Sequence, residues 1–131
     1  MYDEERYIRT EVFIKEQGFK NEFDEKDEGA LHLVLFADGL PAAAGRLLRG
    51  NGETTFVIGR VAVLEKYRGQ GLGRIVVEIL EKEAKKLGGE HIGLSAQCRV
   101  RKFYEKMGYA AQGGTYLDEF CEHVYMHKEL A

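Results

Sequence analysis

The sequence predicts an α/β domain, a mixed sheet with helices on both faces. One observation is the order of apolar segments: a helix, three strands, a helix, a strand, a helix and two strands. Another is the glycine-rich turn that joins the third strand to a long amphipathic helix within residues 59–87. The third is the length of 131 residues, with which one domain can bury roughly two-thirds of its unfolded surface. We therefore treat residues 1–131 as a single domain.

The N-terminal half is predicted to contain one helix and three strands. Residues 4–16 carry apolar side chains at near-helical spacing, which indicates an amphipathic helix. The acidic residues 21–28 indicate an exposed loop or a second short helix. Residues 31–37 form an apolar run that predicts a buried strand, and residues 42–48 and 54–64 predict the next two.

The C-terminal half is predicted to contain two helices and three strands. A helix follows the glycine turn and ends at Gly88. Residues 90–95 predict a short strand, residues 98–107 a second helix, and residues 109–111 and 123–127 the closing strands. The apolar stripe of the first of these helices comprises Leu72, Ile75, Val76, Ile79, Leu80, Ala84 and Leu87, and that of the second Val100, Phe103, Tyr104 and Met107.

Composition excludes several classes of function. A net charge of −3 argues against general nucleic-acid binding, and no apolar run approaches the roughly 20 residues of a membrane helix. Cys98 and Cys121 follow no metal or redox spacing, so we expect reduced thiols and no metal site. The N-terminal residues 1–6 lack signal-peptide character, and we expect a cytoplasmic protein with no nucleic-acid or membrane partner.

The glycine-rich turn predicts an anion site. Residues 68–73 read Arg-Gly-Gln-Gly-Leu-Gly and leave backbone N–H groups uncovered at the start of a helix, where a phosphate or pyrophosphate binds well. A Walker A loop is excluded because Arg74 follows the last glycine where Lys-Ser/Thr is required. A dinucleotide fingerprint is excluded because Gly73 comes one residue early.

What remains is Arg-x-x-Gly-x-Gly after a valine-rich strand, which resembles the coenzyme A loop of the GNAT superfamily of N-acetyltransferases. Residues 97–109 resemble the second cofactor motif of that family, Asn-x-x-Ala-x-x-Phe-Tyr-x-x-x-Gly-Phe. Phe103, Tyr104 and Gly108 match this motif, while Gln97, Val100 and Tyr109 stand in for the asparagine, the alanine and the last aromatic residue.

The first predicted helix carries a third resemblance. Residues 9–17 are similar to the Arg-x-x-Val-Phe-x-x-Glu-Gln segment of a branch of small, often uncharacterised bacterial GNAT proteins. By analogy this segment lines the acceptor side. Acidic residues are concentrated in residues 1–28 and basic ones in residues 65–106, which fits a cationic acceptor beside an anionic cofactor, although solvated helix faces would give the same pattern.

The resemblance implies a GNAT-like fold, with a mostly antiparallel twisted sheet. GNAT domains normally have one more strand before the first helix. Too few residues precede the predicted helix here, so we expect that strand to be missing, which leaves open what forms the edge of the sheet. The resemblance also leaves a homodimer open.

The function that the resemblance implies is transfer of an acetyl group from acetyl-CoA directly to a primary amine of a small molecule or peptide. The strand at residues 60–63 would pair with the pantetheine arm, and the N–H of Val61 or Ala62 could polarise the thioester carbonyl. The implied cofactor-binding residues are Val61, Ala62, Val63, Arg68, Gly69, Gln70, Gly71, Leu72, Gly73, Arg74, Gln97, Phe103 and Tyr104.

The resemblance also assigns catalytic roles. Tyr104 would be the general acid that protonates the coenzyme A thiolate. Many family members carry a carboxylate base on the strand before the glycine loop, whereas residues 55–60 here contain none. Glu16 and His32 are therefore our candidates for the base, and Glu22 and His123 are open alternatives. Cys121 is a weak candidate for a nucleophile, because direct transfer needs none.

Two alternative functions remain open at this point. The absent carboxylate favours a regulatory module that binds acyl-CoA without catalysis. The chain could also be an acetyltransferase whose acceptor is a macromolecule, as in toxin-type or ribosomal-protein acetyltransferases.

Overall fold

The computed structural model describes residues 1–131. Helix α1 (Asp3–Arg9) continues as a π-helical segment, Thr10–Glu16, and short 3₁₀ segments occupy Glu25–Gly29, Glu65–Tyr67 and Cys98–Val100. The longer helices of the second half are α2 (Leu72–Lys86) and α3 (Arg101–Lys106). The strands are β1 (Leu31–Ala37), β2 (Leu40–Arg49), β3 (Thr55–Val63), β4 (His91–Gln97), β5 (Ala110–Asp118) and β6 (Cys121–Glu129).

The six strands form one mixed sheet in the order β1-β2-β3-β4-β6-β5. Every neighbouring pair is antiparallel except β3 and β4, which are parallel. The predicted fold class is confirmed. No helix is long and apolar enough to cross a membrane.

The pairing of β3 with β4 is short. It joins Thr55–Ile58 to residues 91–94, and both strands continue beyond it without pairing to each other. The register between β2 and β3 shifts between Ala44 and Arg46, which pair with Ala62 and Gly59. Arg60, inside this bulge, has a φ of 53°, a left-handed conformation that is strained for a residue with a Cβ atom. Past this point the two central strands separate and open a cleft.

Helices cover both faces of the sheet and give two cores. The larger core lies under α2 and α3 and includes Phe56, Ile58, Leu80 and Met126. The smaller core lies under α1 and comprises Ile8, Val12, Phe13, Phe19, Ala44 and Ala62. Because the cleft opens in the middle of the sheet, both cores contribute to its walls.

The inward face of α2 differs from the predicted stripe. Val76, Val77, Leu80 and Ala84 are buried, while Ile75 and Leu87 are 41% and 49% exposed. Val77 belongs to the core under α2 and Ile75 does not, so the predicted inward positions of Ile75 and Leu87 were wrong.

Other elements differ from prediction at the margins of the fold. The strand β1 is half-buried rather than buried, because it lies at one edge of the sheet. The predicted helix 98–107 begins with a 3₁₀ turn, and Val100 is exposed rather than inward. The closing strands β5 and β6 are longer than predicted, since cross-strand hydrogen bonds rather than apolar runs define the exposed strand β5.

Candidate active site

A cavity of about 1250 Å³ opens where β3 and β4 separate. Its walls come from the end of the π-helical segment, the loop at residues 19–22, the free part of β3 and the turn before α2. The ends of β4 and β6, the start of α3 and the β5–β6 turn complete it. The glycine turn and the acidic N-terminal part of the chain therefore line one continuous space.

The glycine turn presents backbone amides to this cavity. Gly69 and Gly71 have φ values of 82° and 79°, which residues with a Cβ rarely adopt. Gly71 is the N-cap of α2 and no side chain caps the helix. The first helical amide to donate within the helix is that of Ile75, to the Gly71 carbonyl, so the amides before it are free for an anion. Gln70, predicted as a cofactor residue, does not line the cavity.

The free edge of β3 also faces the cavity. The N–H of Leu64 donates to the Ala42 carbonyl on β2. Because an antiparallel ladder alternates, the backbone groups of Ala62 point towards β2 as well, and those of Val61 and Val63 point away from it. The Val63 carbonyl agrees with this direction, since it accepts a hydrogen bond from Arg68 Nε at 3.0 Å. Of the two predicted oxyanion donors, this geometry favours Val61 over Ala62.

Glu16 and Arg68 form a bidentate ion pair across the mouth of the cavity. Both guanidinium–carboxylate distances are 2.6 Å. The Arg68 hydrogen bonds hold the pKa of the Glu16 carboxyl below its usual value. A carboxylate whose oxygens both accept from Arg68 is a poor proton acceptor, so its place in the structure argues against Glu16 as the base.

Tyr104 lines the cavity from α3 and is buried. Burial raises the pKa of Tyr104 to about 12, which keeps the hydroxyl protonated over the physiological range. The neighbouring Phe103 ring lies 4.9 Å from the Tyr104 ring, edge to face. A Cβ atom on Gly73 would sit 3.5 Å from Phe103, so α3 packs closely against the first turn of α2. The two sequence motifs meet at this contact.

Gln97 joins two walls of the cavity. Its side-chain amide donates to Gln17 Oε1 at 2.8 Å, and its Oε1 accepts from Arg99 Nε at 2.9 Å. The end of β4 is thereby tied to the residue that follows the π-helical segment. The sequence singled out both glutamines from different motifs, but did not predict their contact.

The wall opposite the glycine turn is built by residues that the sequence did not single out for the site. Phe120, on the β5–β6 turn, stacks at 5.0 Å on Phe19. The Glu119 carboxylate accepts from the backbone N–H groups of Lys20 and Asn21, each at 3.0 Å, and these bonds lower the pKa of Glu119. These contacts join residues about a hundred positions apart in the sequence, and no local pattern predicts them.

A buried ionic cluster supports this wall. The fully buried guanidinium of Arg9 donates to Glu22 at 2.8 Å, to Asp27 at 2.7 Å and to Glu5 at 3.0 Å. Arg46 also donates to Asp27, at 2.8 Å. The hydrogen bonds from the two arginines hold the pKa of Asp27 far below its usual range, against the opposing effect of burial. The cluster fixes the loop at residues 19–29 to α1 and β2.

Glu22 connects the cluster to the cavity. Its Oε2 accepts from Arg9 and lies 3.1 Å from Nε of Arg60, while its carbonyl accepts two hydrogen bonds from the Arg60 guanidinium. Burial raises the pKa of Glu22, and the nearby arginines only partly offset this. The strained residue of the β3 bulge is therefore bound to the loop at residues 19–22.

His32 does not reach the cavity. Its ring nitrogens lie 2.8 Å from Glu5 Oε2 and 2.7 Å from the Asp27 carbonyl. The prediction that His32 serves as a base conflicts with this location, because the ring belongs to the ionic cluster. Glu5, Asp27 and His32 place ligand-type atoms within 4.8 Å of one another, and the cations already beside these carboxylates are the guanidinium groups of the cluster.

His123 and Cys121 both line the cavity at the start of β6. His123 is buried, and its Nδ1 lies 2.9 Å from the Cys121 carbonyl. Burial raises the pKa of the Cys121 thiol, which lowers its thiolate population and argues further against a nucleophilic role. Of the two open alternatives for the base, the structure brings both Glu22 and His123 to the cavity.

Comparisons with known proteins agree with this geometry. The model of the Acetyltransferase (GNAT) domain family matches residues 2–130. The uncharacterized N-acetyltransferase YjcF of Bacillus subtilis is 34% identical over 126 residues, which is 94% of this chain and 89% of YjcF. An acyl-CoA N-acyltransferase from Pseudomonas aeruginosa has a crystal structure with a TM-score of 0.83 and 32% identity, covering 98% of this chain and 92% of that one. A crystal structure from Lactobacillus plantarum gives a TM-score of 0.89 and 31% identity, with coverages of 98% and 90%.

Proposed function

The chain belongs to the GNAT acetyltransferase domain family, and we propose that it transfers an acetyl group from acetyl-CoA directly to a primary amine of a small molecule or peptide. The observation that carries the proposal is the cavity itself. In one space it combines uncovered amides at the start of α2, an unpaired edge of β3 and the buried hydroxyl of Tyr104. These are the groups that a pyrophosphate, an extended pantetheine arm and a leaving thiolate require.

The proposed cofactor position follows from the polarity of the cavity. The pyrophosphate lies on the amides of the glycine turn, where the helix dipole and free N–H groups favour negative charge. The pantetheine arm extends along β3 in the manner of an added strand, hydrogen-bonded to backbone groups of Val61 and Val63. The thioester then lies near the β3 bulge, with the Val61 N–H directed at the carbonyl oxygen.

Tyr104 supports departure of the thiolate. A tyrosine with a pKa of about 12 is a weaker acid than a thiol of pKa about 8.5. Full proton transfer from Tyr104 to the thiolate is therefore unfavourable, and the hydroxyl acts as a hydrogen-bond donor to the developing negative charge. Because burial keeps Tyr104 neutral, this donor is present at any pH at which the enzyme is folded and active.

The acceptor amine is proposed to enter beside the wall formed by Phe19, Phe120 and Glu22. Aromatic rings and a carboxylate fit an amine that arrives as an ammonium ion with an apolar body. The acidic composition of this part of the chain supports the same choice. A peptide amine would fit as well, since the β5–β6 turn lies at the surface.

One observation favours the non-catalytic alternative. No carboxylate lies on β3, and Glu16 is occupied by Arg68. A module that binds acyl-CoA for regulation would share the cofactor end of the cleft and lack turnover. The two functions therefore differ in acetyl transfer, not in cofactor binding.

The test has two stages. Thermal unfolding is measured with and without 1 mM acetyl-CoA, with NADH and ATP as controls. A dissociation constant of about 10 μM would stabilise the fold by roughly 2.7 kcal/mol, which raises the melting temperature by roughly 8–13 °C for a domain of this size. Release of free thiol is then followed with a panel of primary amines and lysine peptides.

A shift with acetyl-CoA alone, followed by amine-dependent thiol release, would support the proposed enzyme. A shift without turnover on any amine, peptide or cellular protein extract would favour the regulatory module. No shift at all would overturn the assignment of the glycine turn as the cofactor site.

A further inference from the structure

The position of His123 suggests a role that no motif assigns. It pairs across strands with Gln97, the last residue of β4, and therefore lies where the free part of β4 forms the cavity wall. Its side chain lines the cavity and is 6% exposed. The ring is thus close to the reaction space and largely withdrawn from bulk water.

A hydrogen bond fixes the chemistry of the His123 ring. The Cys121 carbonyl, 2.9 Å from Nδ1, can only accept. Nδ1 therefore carries the proton and donates, and in the neutral ring Nε2 carries the lone pair. A backbone carbonyl in this position selects the tautomer that can remove a proton through Nε2.

Packing fixes the orientation of the same ring. The Tyr116 ring stacks on it with centroids 6.0 Å apart, and the Phe19 ring meets it edge to face at 6.4 Å. Phe19 also belongs to the wall proposed to receive the acceptor. Tyr116 faces the ring from β5. The titratable or charged residues that line the cavity with it include Asp118 at the end of β5, Glu119 on the β5–β6 turn, Cys121 on its own strand, and Glu22 and Arg99.

The other candidates for the general base are bound to arginine side chains or lie outside the cavity. Both oxygens of Glu16 accept from Arg68. Glu22 is held by Arg9 and Arg60, so removing a proton with it would require breaking an ion pair. His32 lies outside the cavity, with both ring nitrogens bonded to other groups. No such partner occupies Nε2 of His123.

We propose that His123 is the general base of the transfer, an inference that rests on the proposed function. Nε2 removes a proton from the acceptor nitrogen, whose lone pair forms the C–N bond to the thioester carbonyl carbon. The carbonyl π electrons move to oxygen and return as the C–S bond breaks, with its electron pair leaving on sulfur. The departing thiolate, which accepts a hydrogen bond from Tyr104, takes a proton from solvent. The second proton of the ammonium nitrogen and the proton on His123 pass to solvent, so Tyr104 and His123 end in their starting states. The products are the amide and coenzyme A thiol.

The test compares His123→Gln with His127→Gln, a substitution at an exposed histidine on the same strand. With the best amine from the panel, kcat/KM is measured from pH 5.5 to 9 together with acetyl-CoA affinity. We expect His123→Gln to lose about 100-fold or more of the rate at pH 7. We also expect its rate to fall less steeply towards acid pH than that of the parent and His127→Gln, because only protonation of the amine then slows the reaction, while it binds acetyl-CoA normally.

A second variant, His123→Ala, distinguishes a catalytic role of His123 as the base from a role in packing alone. Added imidazole should restore part of its rate at neutral pH, which a purely structural role would not allow. Two results would show that His123 is not the base while the proposed function stands, provided that the parent transfers acetyl groups. One is a rate and an acid limb of His123→Gln that match those of the parent. The other is a rate of His123→Ala that imidazole does not restore. If the parent transfers nothing to any amine, the proposed function fails and the inference falls with it.

Discussion

At the end of the cleft next to α2, the groups that face the cavity are backbone amides and the free edge of a strand. At the other end they are side chains from the α1 region, the loop at residues 19–22 and the β5–β6 turn. The first end depends on backbone dihedrals at Gly69 and Gly71. The second depends on contacts such as the one between Phe19 and Phe120, which only the complete fold creates.

Because the two ends are built differently, we expect substitutions at the α2 end to change acetyl-CoA affinity and substitutions at the other end to change the stability of the fold. The amides at the α2 end are left over from helix formation and cost the fold little. The other end, which we propose receives the acceptor and call the acceptor end, is supported by a cluster in which buried charges neutralise one another. A change in that cluster should therefore destabilise the region. Four substitutions test this comparison.

The largest effect is expected for Asp27→Asn. It leaves Arg9 and Arg46 without their shared carboxylate, and breaking such a buried pair costs about 3–5 kcal/mol. Because the pKa of Asp27 is depressed in the fold, its charge stabilises the protein above the unfolded-state pKa of about 3.9 and this contribution is lost as the pH falls further. The deficit should therefore be large at pH 7 and shrink below pH 4 in urea unfolding.

The matched control is Lys15→Ala, which removes an exposed pair with Glu11 and should change stability by less than about 1 kcal/mol. Equal losses in the two variants would mean that the cluster does not support the acceptor end.

The next effect is expected for Gly71→Glu. A carboxylate at the start of α2 would repel the pyrophosphate, and we expect acetyl-CoA affinity to fall about 100-fold. Gly52→Glu is the control, because Gly52 also has a positive φ of 93° and open space around it but lies in the β2–β3 turn. Both variants carry the same strain and added charge. Equal affinities by calorimetry would remove the glycine turn from the cofactor site.

A smaller effect is expected for Tyr104→Phe. Loss of a hydrogen bond to a charged leaving group should lower kcat roughly 10–100-fold, with little change in acetyl-CoA affinity. Since the pKa of Tyr104 is about 12, its ionisation should cause no loss of rate below about pH 11 in the parent. A parent rate that falls at pH 9–10, with the fall absent from Tyr104→Phe, would contradict the raised pKa.

The smallest effect is expected for Glu16→Gln. Its pair with Arg68 is partly exposed, and such pairs contribute about 0–1 kcal/mol. We expect the rate with the best amine to change less than about threefold. A 100-fold loss of the rate, together with an altered pH profile of the rate, would indicate that Glu16 is the base.

The sequence predicted the turn and the helix at the α2 end of the cleft, because their signals are local. Glycine spacing marks the turn, and apolar periodicity marks α2 and the strands on either side. The error at Ile75 and Val77 shows the limit of periodicity, which gives an apolar stripe along a helix but not which side chains at its margins meet the sheet. The edge position of β1 lowered its burial for a related reason, since a sequence does not state which strands have neighbours on both sides.

Most of the acceptor end could not be predicted from the sequence. Arg9 and Glu22 were visible as charged residues in an acidic segment, but their burial depends on Asp27 and Arg46 arriving from other elements. The contact between Glu119 and the amides at residues 20–21 has no local signature. The bulge at Arg60 could not be predicted either, because arginine rarely adopts a positive φ.

The short ladder between β3 and β4 has a mechanical consequence. A ladder of four residue pairs joins one three-stranded half of the sheet, β1-β2-β3, to the other, β4-β6-β5. Hydrogen bonds from the amides of Glu90 and His91 to the Thr54 carbonyl extend it at one end only. We expect the amides of β3 and β4 that face the gap beyond this ladder to exchange faster than the paired ones until an extended molecule fills the gap. A ligand that paired with both strands there would join them, so exchange at these amides should slow in β3 and β4 together.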